Sequence, residues 1–271
     1  MNTHDNHIPS ALARESLLDR DVMASTNSSV VKMLPEAHVI KIGGRSIIEA
    51  GREVMMPVVE TLASALQDHK LILGVGGGAR SRHVFSVGLD LGLPTGVLAE
   101  LSAADALGNA HILGTLLAPH GVVAIPPAMF GHLLPLFIHS VPGVIFNGVP
   151  PYSLWEHPSS IGRIPVHRTD SGCVILAECF GCKSVILVKN VRGLYAEDPY
   201  INPHAEFIPR ISVAELRARN LKTLPFDEVL LDVMETARSI TQFQLVDGRE
   251  PQNILRALAG DCPGTVVYVD R

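Results

Sequence analysis

Val39-Ile-Lys41-Ile-Gly43-Gly44-Arg45 and, further on, Leu71-Ile-Leu-Gly74-Val-Gly76-Gly77-Gly78-Ala-Arg80-Ser-Arg82 decide how this chain folds. Each is a short apolar run that stops at glycines. Runs apolar throughout read as strands of a parallel sheet covered on both faces. The glycines let backbone N–H groups approach an anion without interference from a Cβ, and Lys41 supplies a point charge. The turn at Gly76, Gly77 and Gly78 feeds a helix whose N-terminal dipole favours negative charge, with Arg80 in its first turn. Glycine turns are also ordinary structural devices, so each alone leaves both readings open. Two in one sheet argue for two converging phosphate-binding edges. Neither is a P-loop or a spaced G-x-G-x-x-G.

Outward from these turns, apolar runs alternate with segments of helical period. His38–Ile42, Leu71–Val75, Val122–Ile125, Val144–Phe146, Ser184–Val188, Phe243–Val246 and Thr265–Val269 read as strands. Val54–Gln67, Ala104–Leu117, Cys173–Phe180, Glu228–Ile240 and Asn253–Ala259 read as helices, and Ser212 with Glu215 is a capping-box pattern that opens another. The fold class is α/β, with a mainly parallel central sheet between helical layers. Residues 1–33, with the polar cluster Ser25–Ser29, look like an arm at a subunit interface, and residues 34–271 read as one domain.

Composition narrows the function classes. The 271 residues are 47% hydrophobic and 18% charged, which excludes a largely disordered chain, and a net charge of −5 offers no basic field for nucleic acid. The N-terminus has no basic flank followed by an apolar core, so a cytoplasmic location is expected. Between Asp105 and Glu156 there is no Asp, Glu, Lys or Arg, but the prolines cut this stretch into pieces too short to span a membrane. It reads as a subunit interface or the lining of an enclosed space. Cys179-Phe-Gly-Cys182 has redox or metal-site spacing, yet its place at a helix end before a strand suits two small packing thiols.

Two further segments carry chemistry. In Arg168-Thr-Asp170-Ser-Gly172, Asp170 either caps a helix or orients a lysine or magnesium ion near a transferred phosphate. In Val188-Lys189-Asn-Val-Arg192-Gly193-Leu-Tyr195-Ala-Glu-Asp198-Pro199, a strand ends in lysine and turns through glycine towards an aromatic that could pack on a base.

These four segments, in this order, resemble the amino-acid kinase family and its uridylate-kinase-like branch. Its marks are a strand ending in K-x-G-G, a G-G-G loop with arginine, a T-D helix start and a K-x-x-G-x-Y-x-x-D-P turn. The resemblance covers about Leu34 to Val269 and implies a three-layer αβα sandwich. It also implies ATP and Mg2+ beside Lys41, Gly43, Gly44, Asp170 and Lys189, with Tyr195 and Asp198 near the nucleoside. Lys41, Asp170 and Lys189 become the catalytic candidates. The nucleotide is expected over the C-terminal half and the acceptor over the N-terminal half. Longer blocks, among them Ala79–Pro94, Asn109-Ala-His111 and Pro150-Pro-Tyr-Ser-Leu-Trp155, resemble members that use ATP to pack molybdate or tungstate as polyoxometalate clusters inside a hexameric cage.

Twelve histidines stand against six lysines. Imidazole binds oxometalates through nitrogen or, when protonated, as a donor to anionic oxygens. Most of the twelve are ordinary surface or core residues on composition alone. His111, His132, His139 and His157, with Glu156, are the metal candidates. Three readings follow: an ATP-linked molybdate or tungstate store in a homo- or hetero-hexamer; a small-molecule kinase of the uridylate type; and a non-catalytic anion-binding homologue, for which Arg192, in place of the family's acidic residue, is the motive.

Overall fold

A computed structural model describes residues 31–152 and 162–270. Residues 1–30 of the expected arm, and Glu156 and His157, lie outside the described residues. The elements below belong to the compact unit Lys32–Arg271.

In chain order they are β1 (Ala37–Ile42), a single π-type turn (Gly44–Ile48), α1 (Arg52–Ala65), β2 (Lys70–Val75), α2 (Gly78–Asp90), α3 (Thr95–Leu117), β3 (Val122–Ala124), α4 (Phe130–Ser140), β4 (Gly143–Phe146), α5 (Thr169–Phe180) and β5 (Ser184–Lys189). Then come β6 (Leu194–Tyr195), β7 (Phe207–Ile208), β8 (Arg210–Ser212), α6 (Val213–Arg219), α7 (Leu230–Thr236), β9 (Gln242–Asp247), α8 (Gln252–Leu258) and β10 (Thr265–Tyr268). Eight strands form one sheet in the order β3-β4-β2-β1-β5-β9-β10-β8, and β6 and β7 make a separate antiparallel pair. Every pairing in the large sheet is parallel except β9 with β10.

Strand periodicity divides the core in two. Val39, Val144, Val185, Leu187 and Leu245 pack with α4, α5, α6 and α7 on one face. Ile40, Ile42, Ile145, Ile186 and Val246 pack with α1, α3 and α8 on the other. Helices on both faces bury the central strands, which is why the middle positions of those strands are mostly apolar. Because β1, β2, β4, β5 and β9 run parallel, their carboxyl ends share one edge, where open α/β sheets bind ligands. Lys41 alternates with Val39 and therefore lies on the α5 face.

All seven strands read from sequence are present, to within one or two residues at their ends. The edge strand β8 and the β6–β7 pair were missed because two or three residues show no period. Helix α3 begins at Thr95, after Pro94 in extended geometry, rather than at Ala104. Helix α4 forms around Pro135, in the stretch that the prolines were expected to interrupt. An internal proline removes one backbone hydrogen bond, and burial of Phe130, Leu134 and Ile138 offsets it. No helix among the described residues is long and apolar enough to cross a membrane. At the end of α5, Gly181 is left-handed (φ 62°) and the Cys182 N–H donates to the Ala177 carbonyl, so the C-x-x-C spans a helix stop. Cys182 is buried, and burial pushes its thiol up to about 12.

At the amino-terminal edge of the sheet, His38 is buried, with Nδ1 2.7 Å from the Ser184 hydroxyl and its ring edge-on to His69. Burial, then His69 and Lys183, lower its pKa from 6.5 to about 4. The unfolded chain therefore binds a proton that the folded chain refuses between those values, and stability falls as pH drops through that window. The urea midpoint is expected to decline from pH 6.5 towards pH 4, and His38→Gln to flatten that decline; parallel curves for the two proteins would show that His38 is not responsible.

Candidate functional site

At the carboxyl edge of the sheet lies a cleft of about 1280 Å³. Its floor is charged. Lys41, at the end of β1, places Nζ 2.7 Å from Asp170 Oδ1, and Lys189, at the end of β5, places Nζ 2.7 Å from Asp170 Oδ2. All three side chains are about nine-tenths buried or more. Burial would raise the Asp170 carboxyl, but Lys189 and Lys41 hold it well below the usual carboxylate range. Burial opposes charge on Lys41, and Asp170 overcomes it, leaving this amine raised. On Lys189 burial prevails over Asp170, with Lys41 adding repulsion, and its pKa drops to about 8. Both oxygens of Asp170 are thus taken by ammonium groups, and the carboxylate acts as an orienter of lysines. Among the described residues no cluster of three His, Cys, Asp or Glu side chains could hold a metal ion.

The glycine turns close over this floor. A Cβ on Gly76 would stand 3.3 Å from Lys41 Nζ, and one on Gly44 would collide with the Gly76 carbonyl and the Gly78 amide. These positions are glycine because two loops and a lysine meet there. Several amides expected to face an anion are engaged within the protein. Gly43 N–H donates to the Val188 carbonyl, Gly76 N–H to the Ile42 carbonyl, and Ala79 N–H to both carboxylate oxygens of Glu49 at 3.0 and 2.9 Å. Glu49, unremarked in the sequence, joins the π-type turn to the start of α2 and sits where the helix dipole favours an anion.

Several candidates are placed differently from their motif neighbours. Gly43, Gly44, Gly76, Gly77, Gly78 and Asp198 line the cleft together with Lys41, Asp170 and Lys189. Arg80 instead bonds to Asn109, whose amide holds the Gly76 carbonyl at 2.8 Å, and Arg82 is the arginine of this helix that lines the cleft. Tyr195 packs edge-on against Phe207, and Arg192 lies 4.2 Å over the same ring, so this arginine has a packing role in the β6–β7 pair. Tyr200 stands on the cleft wall, and its hydroxyl donates to the Asn190 carbonyl at 2.5 Å. Buried Asn147, after β4, lines the cleft with an Oδ1 that has no hydrogen-bond partner among the described residues. Arg249 forks onto Asp247 at the end of β9.

Among the described residues the candidate histidines stand on two different helices. His111 is exposed on α3, His139 is exposed on α4, and His132 lies on α4. These two helices cover opposite faces of the sheet.

The sequence profile of the Amino acid kinase family matches residues 36–240. The molybdenum storage protein subunit beta of Azotobacter vinelandii is 43% identical over 257 residues, covering 94% of this chain and 95% of that protein. A uridylate kinase of Methanothermobacter thermautotrophicus is 29% identical, covering 84% and 98%. The crystal structure of uridylate kinase from Archaeoglobus fulgidus superposes with a TM-score of 0.68 at 24% identity, over 85% of this chain and 99% of that one, a likeness of fold.

Removing the charge of Asp170 leaves Lys41 and Lys189 without the counter-ion they share in the interior. Asp170→Asn is expected to cost about 3–5 kcal/mol at pH 7. Asp170→Asn/Lys189→Met should recover part of that loss, measured by chemical denaturation. A double variant no more stable than the single one would mean that repulsion between the lysines is not the cause.

Proposed function

This chain belongs to the amino acid kinase family, and from that premise we propose that it stores molybdate or tungstate as polyoxometalate clusters in an oligomeric cage, driven by Mg-ATP in the cytoplasm. The observation that carries the reading is 43% identity over nearly the whole length of a molybdenum storage subunit.

The cleft suits a polyphosphate. Lys41 and Lys189 present ammonium groups, and the glycines at 43, 44, 76, 77 and 78 line the cleft beside them. Phosphoryl transfer is chiefly a matter of positioning and charge, and Asp170 fixes both lysines without becoming a reactant. Magnesium would arrive with the phosphates, since this ion keeps several waters and needs few protein ligands. Asp198 and Tyr200 line the wall where the nucleoside would lie.

An oligomer is supported by apolar side chains left in solvent on α2, α3 and the turn between them, including Val87, Leu91, Val97, Leu101 and Ile112. The relative is itself a subunit by name. We place the N-terminal arm of residues 1–33 at such an interface and assign the histidines, His111, His132, His139 and His157, with Glu156, to cluster binding. Because His111 and the α4 histidines lie on opposite faces of one chain, a cluster held by both sets requires more than one subunit. The hexamer, homomeric or mixed, is part of this proposal. A uridylate kinase activity is the second reading, favoured by the relatives 29% identical and less.

Metal analysis of the native oligomer, purified with molybdate and Mg-ATP, is expected to give many molybdenum atoms per oligomer, and few when ATP is withheld. No molybdenum in either case, with rapid diphosphate formation from uridine monophosphate, would replace storage by the kinase reading. The pKa of about 8 on Lys189 adds a pH test. The ammonium that attracts phosphate is lost as pH rises through 8, so Mg-ATP affinity should fall by up to about tenfold per pH unit above it. Lys189→Arg should remove this fall; calorimetric titrations from pH 7 to 9.5 check it.

A further inference from the structure

Helix α5 begins without a cap of its own. Arg168 precedes it with a side chain that has only donors, and Ser171 bonds back to the Arg168 N–H and carbonyl. The first-turn amides find their acceptor on another element. Asp227, just before α7, lies 57 residues further along and is buried, and its Oδ2 accepts from the Asp170 N–H at 3.2 Å and the Ser171 N–H at 3.4 Å. Its other oxygen is 2.8 Å from an Arg168 guanidinium nitrogen at the cleft wall. A second carboxylate is therefore buried immediately behind Asp170, against the repulsion of a like charge. A serine or asparagine would cap the same helix without that repulsion.

We infer that Asp227 is a positioning residue that sets the start of α5, and with it the Asp170 carboxylate between the two lysines, and that its charge belongs to the balance around Lys189. The inference deepens the phosphate-binding reading above and rests on it for its functional meaning. The groups that act on Lys189 are Asp170, Lys41 and Asp227, and those that act on Asp227 are Asp170, Arg168, Lys189 and Lys41. Burial, then Asp170, push the Asp227 carboxyl up, whereas Arg168, Lys189 and Lys41 oppose this. Contact with Arg168 and the two donating amides favour its carboxylate form. The anions Asp170 and Asp227 then face the cations Lys41, Lys189 and Arg168. Loss of Asp227 charge enlarges the positive surplus around Lys189 and drives its proton off at lower pH.

The test reads Lys189 without any nucleotide. Trace acetylation of the intact native protein across pH 6 to 10, quantified by peptide mass spectrometry, gives the pH at which Lys189 becomes reactive. In Asp227→Asn this midpoint is expected about one pH unit lower than in the unaltered protein. Mg-ATP affinity at pH 9 should fall about tenfold with it, recovering as pH is lowered to 7. Asp227→Ser, which keeps a capping oxygen and carries no charge, should show the same shift and provides the measurement if the asparagine variant does not fold. An unchanged midpoint in folded neutral variants would overturn the role of Asp227, whatever the nucleotide does. A shifted midpoint in a protein that binds no Mg-ATP at any pH would keep that role and overturn the phosphate reading.

Discussion

Two ammonium groups share one carboxylate inside this protein, and much of the architecture serves to keep them there. Lys41 and Lys189 come from β1 and β5, adjacent strands in register, so the backbone already holds the two amines close. Only a carboxylate placed between them makes that arrangement tolerable away from water. Asp170 arrives on the first turn of α5, where the helix dipole also favours an anion. Packing of α5 on β1 and β2 is tight: Cys173 fills the space beside Gly74, and Gly172 meets the backbone of residues 148–150. The site is thus a junction of two strands and a helix start, and its positive surplus faces the cleft.

Much of this was legible in the sequence because the chemistry sits at the ends of strongly patterned elements. Lys41 and Lys189 close apolar runs, and Asp170 opens a helical period, so both element and end could be read locally. Asp227 and Glu49 could not. Each serves the helix start of a different segment, and a cap supplied from elsewhere has no local spacing to reveal it. Arg80 and Tyr195 show the same limit in another form: their motifs put them in the correct loop, but partners from other elements, Asn109 and Phe207, decide where they point. The histidines were chosen from composition and an uncharged stretch, and neither contains information about which face of the sheet a residue joins.

Glu49 gives the glycine-rich turns a second character. An approaching phosphate meets loops whose backbone donors are partly engaged by the protein's own oxygens. This lowers the attraction of the bare cleft for stray anions and places the main electrostatic pull on the lysines. A polyanion gains more from that pull than a monovalent anion does, because the Coulomb attraction grows with its charge.

The sheet order also bears on how the chain is made. Strand β1 lies between β2 and β5, and its far-side partner is distant in sequence: Ser184, bonded to His38, is 146 residues further on. On a ribosome that adds roughly 5–20 residues per second, the β1 segment emerges many seconds before the residues that complete its pairing. Throughout that interval Lys41 has neither its carboxylate nor its second strand, and a bare ammonium resists burial. The pairing that completes β1, and the carboxylate that matches Lys41, can therefore be added only once α5 and β5 have been translated.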